Sequence, residues 1–456
     1  MNKIGNKKGG QNMKKNINLV LVALSVVIGL TACSSDGFED KPIDHKDPTS
    51  IKFNLTAKHS CDTATSTRGN DDCGWQWQSW DHNDVTSHAS TRAVKMDWEN
   101  GDVIFVFFSN VDAPKYLKMT FDGTDWESVE YDGSVATPDC LGLTEGMTGT
   151  MRAVFLPFGN DATVSADGTD FKFSETYYTY YLTATLDYEV KNGEVSGAFN
   201  MTIPDDYVQF FVEDAEATDG AYTLGIDAVI PTGVASIAAD GTITETTDKT
   251  ASDDMEGYAY SGGYLFSGKL NSSYDYNGYY FAMKKVSDNT RTDYFVTNEN
   301  RTLGSHSAVK LPANDHTNWI AVGAGINVEV GFYGTWATCN NGASVPENPG
   351  VAYFYEQADQ MGAPSQYRYD FLLTSEERVV LSIHGMKGMV YYDTDCNKFM
   401  FFPFRADRKY AYYWTSTDMN MQGTLCRMLL KMDSNNRVKY EYNRQNDLSG
   451  YLRKAY

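Results

Sequence analysis

Apolar and polar residues alternate along most of the chain from residue 50 onward, which is the period of β-strands with one buried face. Residues 51–55 show this alternation, and residues 116–121 repeat it before the turn-forming pair Asp122-Gly123. Residues 103–108 are instead a continuous apolar run, which predicts a strand buried on both faces. Further strands are predicted at 153–157, 177–188, 208–212 and 222–230, and near residues 258, 279 and 294. The pattern predicts a mainly β protein built from sandwiches.

Two segments depart from the strand pattern. Residues 240–257 are rich in Thr, Asp and Gly, which predicts a long exposed loop. Residues 374–383 are predicted to form a helix, because Thr374 is a suitable N-cap and Glu377 stands at the position that completes a capping box.

The first 32 residues read as a signal peptide. Lysines precede an apolar run at residues 17–30, which is short for a membrane span, and the run ends in L-T-A-C at Cys33. This ending resembles a lipobox, which implies that Cys33 carries acyl chains, palmitate among them, and holds the protein at the outer membrane on the cell surface. The alternative is an ordinary secretory signal with Cys33 merely nearby. Residues 33–49 are then a polar tether.

The charge balance excludes one class of partner. The chain has 60 acidic residues against 38 Lys and Arg among its 456 residues, a formal net charge of −22. Nucleic acid is therefore not an expected partner, since phosphate would be repelled.

Six cysteines follow Cys33, and their spacing is irregular. Cys61 and Cys73 are the closest two, with eleven residues between them, and are the candidate disulfide. No C-x-x-C occurs, so neither a zinc knuckle nor a thioredoxin-like site is supported.

No catalytic motif is recognisable in the sequence. H-E-x-x-H, G-x-S-x-G and a phosphate-binding P-loop are all missing. We therefore expect no enzyme activity, no catalytic residue, no metal and no cofactor. The candidate ligand-binding side chains are Trp75, Trp77 and Trp80, whose indoles could stack on sugar rings. The other interpretation is that they cover the edge of a core.

The region from residue 50 to residue 322 resembles the fimbrillin family, the subunits of type V pili. The resemblance is carried by T-R-A at residues 91–93, Trp98, the G-D pair before the apolar strand, and the turn followed by Trp126. It implies two β-sandwich domains, at residues 50–205 and 206–325, with other fimbrillin subunits as partners. It also implies proteolytic processing between Arg92 and Ala93. The same S-T-R triplet occurs at residues 66–68, which makes Arg68 the competing site.

The C-terminal part resembles a domain of bacterial surface proteins related to C-type lectins. It carries W-A-T-C-N-N-G-A-S-V-P-E at residues 336–347, L-T-S-E-E at 373–377 and Y-W-T-S-T at 413–417. The resemblance implies a smaller, lectin-like α+β domain at residues 326–456. Trp336 and Trp414 are expected to build its core. The W-N-D of calcium-dependent lectins is not present, so calcium-mediated sugar binding is not supported.

Two functions are compatible with the sequence. The first is a pilus tip subunit, a cell adhesion protein assembled by donor-strand exchange, which binds a glycan or protein on a host or bacterial surface. About 130 residues follow the second sandwich, and a C-terminus inside a folded domain is poorly suited to donate a strand. The alternative is a surface lipoprotein that binds glycans and never polymerises.

Overall fold

The structure of the protein is a computed structural model, and strands make up most of its regular structure. The structure describes residues 50–59, 76–79, 98–112, 114–156, 162–164, 170–177, 181–214, 216–245, 247–260, 262–271, 278–297, 303–304, 307–313, 319–354, 357, 360–393, 398–421, 424–443 and 448–456. Over these residues it has many strands and a single α-helix, so the predicted mainly β class is confirmed.

The first eleven strands belong to the N-terminal region. They are β1 (Lys52–His59), β2 (Gln76–Ser79), β3 (Val103–Phe108), β4 (Lys115–Phe121), β5 (Trp126–Asp132), β6 (Val135–Ala136), β7 (Thr148–Phe155), β8 (Ala162–Val164), β9 (Asp170–Tyr177), β10 (Leu182–Glu189) and β11 (Glu194–Met201). Six of them form an antiparallel sheet in the order β10-β7-β3-β4-β5-β6. All six residues of β3 are buried, as its continuous apolar run predicted. A second sheet pairs β1 with β11 and shares the same apolar core.

Twelve strands follow in the middle of the chain. They are β12 (Tyr207–Glu213), β13 (Tyr222–Gly225), β14 (Val229–Pro231), β15 (Val234–Ala238), β16 (Ile243–Glu245), β17 (Met255–Glu256), β18 (Tyr258–Tyr260), β19 (Gly263–Leu270), β20 (Gly278–Lys285), β21 (Arg291–Thr297), β22 (Ser307–Leu311) and β23 (Ile320–Val322). The predicted loop at 240–257 is wrong in part, because β16 and β17 lie inside it. The apolar Ile243 and Met255 supply the alternation that its polar composition obscured.

Two larger sheets enclose the core of this middle region. One has the order β14-β19-β12-β22-β2 and the other β17-β13-β20-β21-β23. Phe210 and Phe281, one from each sheet, meet edge to face with ring centroids 5.5 Å apart. A four-stranded sheet, β16-β15-β9-β8, takes strands from both sides of residue 205, where the sequence predicts a domain boundary.

The last eight strands and the helix form the C-terminal region. They are β24 (Asn327–Val330), β25 (Gly334–Ala337), α1 (Gln366–Thr374), β26 (Arg378–Ile383), β27 (Met386–Asp393), β28 (Lys398–Pro403), β29 (Tyr410–Met421), β30 (Thr424–Asp433) and β31 (Val438–Asn443), with a 3-10 turn at Gly331–Tyr333. Trp336 and Trp414 are fully buried, which confirms that they build the core.

The helix predicted at 374–383 is wrong. Thr374 ends α1 instead of starting a helix, and residues 378–383 form strand β26. The helix ends here because the Arg378 guanidinium donates hydrogen bonds to the Leu372 and Ser375 carbonyls, 3.2 and 2.6 Å away. After β26 the chain turns through His384 and Gly385, which have φ of 47° and 76°, the left-handed pair that tight hairpins require.

Candidate functional site

Strand β1 pairs with one other strand among those described, β11. It runs parallel to β11 in continuous register, from Lys52 opposite Glu194 to His59 opposite Met201. Among the described strands, β11 is the one that β1 hydrogen-bonds. The two strands are separated by more than 130 residues of sequence, so cutting the connection would leave β1 attached by non-covalent contacts only.

The side chains of β1 alternate between core and surface. Leu55 and Ala57 are buried in the N-terminal core, and Ile51 and Phe53 pack against it. The Phe53 ring meets Phe108 edge to face at 6.2 Å. β1 therefore fills an apolar groove along β11 while its intervening residues face outward, as the alternation in the sequence predicted.

Two tryptophans anchor the end of β1. The Nε1 atoms of Trp98 and Trp126 both donate hydrogen bonds to the Ala57 carbonyl, at 3.1 and 3.3 Å. Their rings meet edge to face with centroids 4.9 Å apart, and Trp98 makes a second such contact with Phe155. Both tryptophans thus support the core and also fix a backbone oxygen of the strand.

A glycine lets β1 lie close to the neighbouring sheet. Gly197 stands opposite Leu55 in the register. A side chain at this position would collide with Leu186 and touch Leu55. The missing side chain leaves the space that Leu186 of β10 occupies.

Strand β2 places a second piece of the N-terminal chain on a different sheet. It pairs parallel to β22, with Trp77 opposite Ala308, at the edge of the sheet β14-β19-β12-β22-β2, to which β18 adds a sixth strand beside β19. The chain before residue 92 therefore supplies strands to two sheets.

Most of the sites predicted from the sequence lie outside the described residues. These are Cys33, Arg68, Arg92, Ala93, Trp75, Trp80, Cys61 and Cys73. Trp77 is described through the backbone of β2 alone. Cys140 and Cys339 have free thiols.

The C-terminal segment, residues 448–456, is built into the C-terminal region. Backbone bonds link Ala337 N to Lys454 O at 2.9 Å, and Trp414 N to Tyr451 O at 3.0 Å. Leu452 and Arg453 are fully buried. The segment thus runs between β25 and β29 as part of the core of its own chain.

A buried polar network joins the middle region to the C-terminal region. Arg291 on β21 binds Asp293 through Nε at 2.6 Å and Glu347 through a terminal nitrogen at 2.6 and 2.8 Å. The Tyr280 hydroxyl donates a hydrogen bond to Asp293. Glu347 is the last residue of the W-A-T-C-N-N-G-A-S-V-P-E motif, so one end of that motif contacts the preceding region.

We call the whole network the junction network. Its other half is centred on His384. Its Nδ1 lies 2.9 Å from Glu347 Oε1, and its Nε2 lies 2.8 Å from Asp254 Oδ1. The next residue, Gly385, donates its backbone N–H to Asp227. A side chain at Gly225 would collide with both His384 and Asp254, so this glycine leaves room for the imidazole.

Burial and charge shift the pKa values of the junction network in opposite directions. Burial alone would lower the pKa of His384, but its contacts with Asp254 and Glu347 raise that pKa from 6.5 to about 10. Burial alone would raise the pKa of Glu347, but His384 and Arg291 lower it to about 2. Burial raises the pKa of Asp227 to about 6. His384 is therefore an imidazolium at neutral pH, held between two carboxylates.

Sequence reasoning missed this network, because its members come from six separate segments and no local spacing links them. One available signal was the apolar alternation on both sides of His384-Gly385, which is typical of a hairpin. Within the described residues, no group of three or more His, Cys, Asp or Glu side chains is arranged to hold a metal ion. No helix in the described part of the chain has the length and apolar character needed to cross a membrane.

Comparison with known proteins gives weak likenesses. The sequence matches no protein-family profile and no curated relative. Among solved structures, it is similar to a candidate cell adhesion protein from Bacteroides ovatus, with 13% identity and a TM-score of 0.31, over 60% of this chain and 96% of the other. It is also similar to a fimbrial assembly protein from Parabacteroides distasonis, with 11% identity and a TM-score of 0.21, over 48% and 86% of the two chains. A candidate polysaccharide-binding protein from Bacteroides thetaiotaomicron gives 12% identity and a TM-score of 0.24, over 49% and 86%. All three TM-scores lie below 0.5.

Proposed function

We propose that the protein is a lipid-anchored surface precursor of a fimbrial tip subunit, in which proteolysis frees β1 and a strand of another subunit replaces it. The observation that carries this proposal is the position of β1. It precedes every candidate cleavage site, it pairs with one described strand, and it fills an apolar groove along eight consecutive residues. An element of this kind can leave without breaking any other strand pair among the described residues.

The groove that β1 would vacate has the features of a strand-accepting edge. It would present the unpaired backbone groups of β11, the apolar cavity of Leu55 and Ala57, and two indole N–H donors. Buried donors without partners are costly, so an empty groove would favour a new occupant. A replacing strand would need apolar residues at alternate positions and a carbonyl near the position of the Ala57 oxygen.

The cleavage site decides how much of the chain leaves. Cleavage after Arg92 would free both β1 and β2, and so would open edges on two sheets. Cleavage after Arg68 would free β1 alone and keep β2 on β22. We favour Arg92, because Ala93 stands where fimbrillin-like mature chains begin.

The packing of residues 448–456 supports a tip position over a stalk position. A stalk subunit must offer an extended C-terminal strand to its neighbour. Here residues 448–456 are hydrogen-bonded between two strands of their own region, and Leu452 and Arg453 are fully buried. Extracting this segment would expose a core, so residues 448–456 are not suited to serve as a donor strand. Its role is to bind a ligand, not to catalyse a reaction.

N-terminal sequencing of protein extracted from fimbriae tests this proposal. A chain that starts at Ala93 is the expected result, and one that starts at Gly69 moves the cleavage site to Arg68. A chain still carrying acylated Cys33 in an assembled fibre would contradict the mechanism. Immunogold labelling should mark one end of each fibre. Labelling along the whole shaft would refute the tip position.

The second candidate function is a surface lipoprotein that binds glycans as a monomer. The buried segment 448–456 favours it as much as it favours a tip subunit, because a monomer also donates no strand. In that case β1 stays paired with β11. Protein extracted from the cell surface then carries an uncut chain from Cys33 onward and is found in a fraction that contains no fibres.

A further inference from the structure

A small cleft in the C-terminal region combines arginine and tyrosine side chains. It has a volume of about 80 Å³ and lies where three elements meet: the turn between β28 and β29, the start of β29 and the segment 448–456. Its walls include Arg405, Arg408, Tyr410, Tyr412 and Tyr451. Backbone hydrogen bonds join these elements, such as the one from Tyr451 N to Tyr412 O at 2.7 Å. The walls of the cleft are therefore fixed by the fold of the C-terminal region.

The cleft carries more positive than negative charge. Arg405 and Arg408 share one carboxylate, that of Asp407, at 2.6 and 3.8 Å. The Lys431 ammonium lies 4.6 Å from the Tyr410 ring centroid and 5.5 Å from that of Tyr412, and it pairs with Glu441 at 3.3 Å, so the excess positive charge comes from the two arginines.

This local charge is opposite to that of the whole protein. Residues 398–441 contain eight Lys and Arg against four Asp and Glu, whereas the chain as a whole carries a formal net charge of −22. A cationic cleft on an anionic protein attracts anions to that one place.

The polar groups around the arginines suit a hydroxylated ligand. Arg408 donates to the Tyr410 hydroxyl, and the Tyr412 hydroxyl donates to Glu441 at 2.9 Å. Ser449 adds another hydroxyl to the wall. Phenols and guanidinium groups at the edge of a cleft can hydrogen-bond sugar hydroxyls and carboxylates together.

We propose that this cleft binds the carboxylate of an acidic saccharide at the cell surface that the protein contacts. Its volume is that of about three waters, so it admits a carboxylate and the carbon that bears it, while the rest of the saccharide lies outside against the tyrosines. The planar guanidinium groups favour a carboxylate, which they can bind through paired hydrogen bonds. This inference names a ligand class for the adhesive role proposed above and rests on that role.

Titration calorimetry on the full chain, kept in solution with detergent, tests the site. The probes are tetragalacturonic acid and its methyl ester, which keeps the sugar rings and replaces each carboxylate by a neutral ester that carries a methyl group. We expect the acid to bind and the ester to bind at least about tenfold more weakly, because each charge-assisted hydrogen bond is worth about a factor of ten or more. Arg405→Gln and Arg408→Gln should each weaken binding of the acid by about tenfold.

Two controls make the result specific. Arg437→Gln removes the same charge from a side chain that is 71% exposed and pairs with Asp433 outside the cleft, so it should leave binding unchanged. Tetraglutamate, which carries carboxylates without sugar rings, should bind more weakly than the saccharide. Equal binding of acid and ester, equal binding of tetraglutamate, or equal loss in Arg437→Gln would overturn the proposal.

Solution binding does not require fibre assembly, so the two proposals fail separately. A chain that assembles into fibres without binding the acid loses the ligand assignment alone. One that binds the acid without assembling loses the tip assignment alone.

Discussion

The junction network makes His384 a measurable contributor to stability. His384→Asn removes the imidazolium from between Glu347 and Asp254, and Asn is chosen because it tolerates the φ of 47° at this position. The His384 side chain is 19% exposed, so little solvent screens its two contacts. Removing one member of a buried charge pair typically costs about 3–5 kcal/mol. We expect a loss of about 3 kcal/mol in the free energy of unfolding.

The pH dependence of that loss identifies its cause. The folded-state pKa of His384, about 10, lies above its ordinary value of 6.5. Its stabilisation is therefore complete below pH 6.5 and disappears as the pH rises toward 10. The charged groups that face it are Glu347, Asp254 and Asp227, and all three carboxyls are largely ionised above pH 7. The change between pH 7 and 10 thus belongs to the imidazole.

Urea denaturation of the wild type and His384→Asn at pH 6.5, 8 and 10 provides the test. The difference between the two proteins should be greatest at pH 6.5 and close to zero at pH 10. Arg437→Gln, which removes an exposed cation, should change stability by less than about 1 kcal/mol at every pH. A difference for His384→Asn that is equal at pH 6.5 and 10 would refute an ionic role and leave a packing effect.

Three further predictions concern the N-terminal region and the lipid anchor. Leu55→Ala should destabilise the precursor by about 3 kcal/mol in urea denaturation, because Leu55 is buried, and should leave a chain processed at Arg92 unchanged. Val195→Ala on β11 should destabilise both forms, and equal effects of Leu55→Ala on both would mean that β1 stays. Trp98→Phe removes one hydrogen bond to the Ala57 carbonyl and should cost the precursor about 1 kcal/mol, with the tryptophan fluorescence as readout. Cys33→Ala should abolish incorporation of labelled fatty acid, and persistent labelling would show that the lipobox interpretation is wrong.

The sequence predicted those parts of the fold that depend on local burial. β1, β3 and β4 lie where alternation or a continuous apolar run placed them, because the side chains of a strand record which of its faces are buried. The helix at 374–383 failed because a cap-like Thr-x-x-Glu pattern occurs where Arg378 closes a helix instead of where one starts. The apolar residues Val379, Leu381 and Ile383 stand at every second position, which is the spacing of a strand.

The candidate sites depend on contacts that no local pattern records. The alternation in residues 51–55 predicted a strand, but its parallel pairing with β11 joins residues far apart in the chain. The junction network likewise combines Arg291, Glu347 and His384, each of which is unremarkable in its own segment. Charge and aromatic content suggested ligand binding through the tryptophans near residue 77, whereas the Arg405 cleft lies in a turn without a motif.

The release of β1 is the central claim, and a disulfide that locks the strand tests it most directly. Thr56 and Ala198 lie opposite each other in the register of β1 and β11, and both side chains face solvent, so a Thr56→Cys/Ala198→Cys pair is placed to form a disulfide. The control pair, Lys118→Cys/Val129→Cys, joins β4 to β5, which both remain after cleavage. Fibre incorporation is measured with and without a reductant that opens the added disulfide. We predict that the β1 lock blocks incorporation until it is reduced, while the control pair incorporates normally. Normal incorporation of the oxidised, fully locked protein would contradict strand replacement at β1.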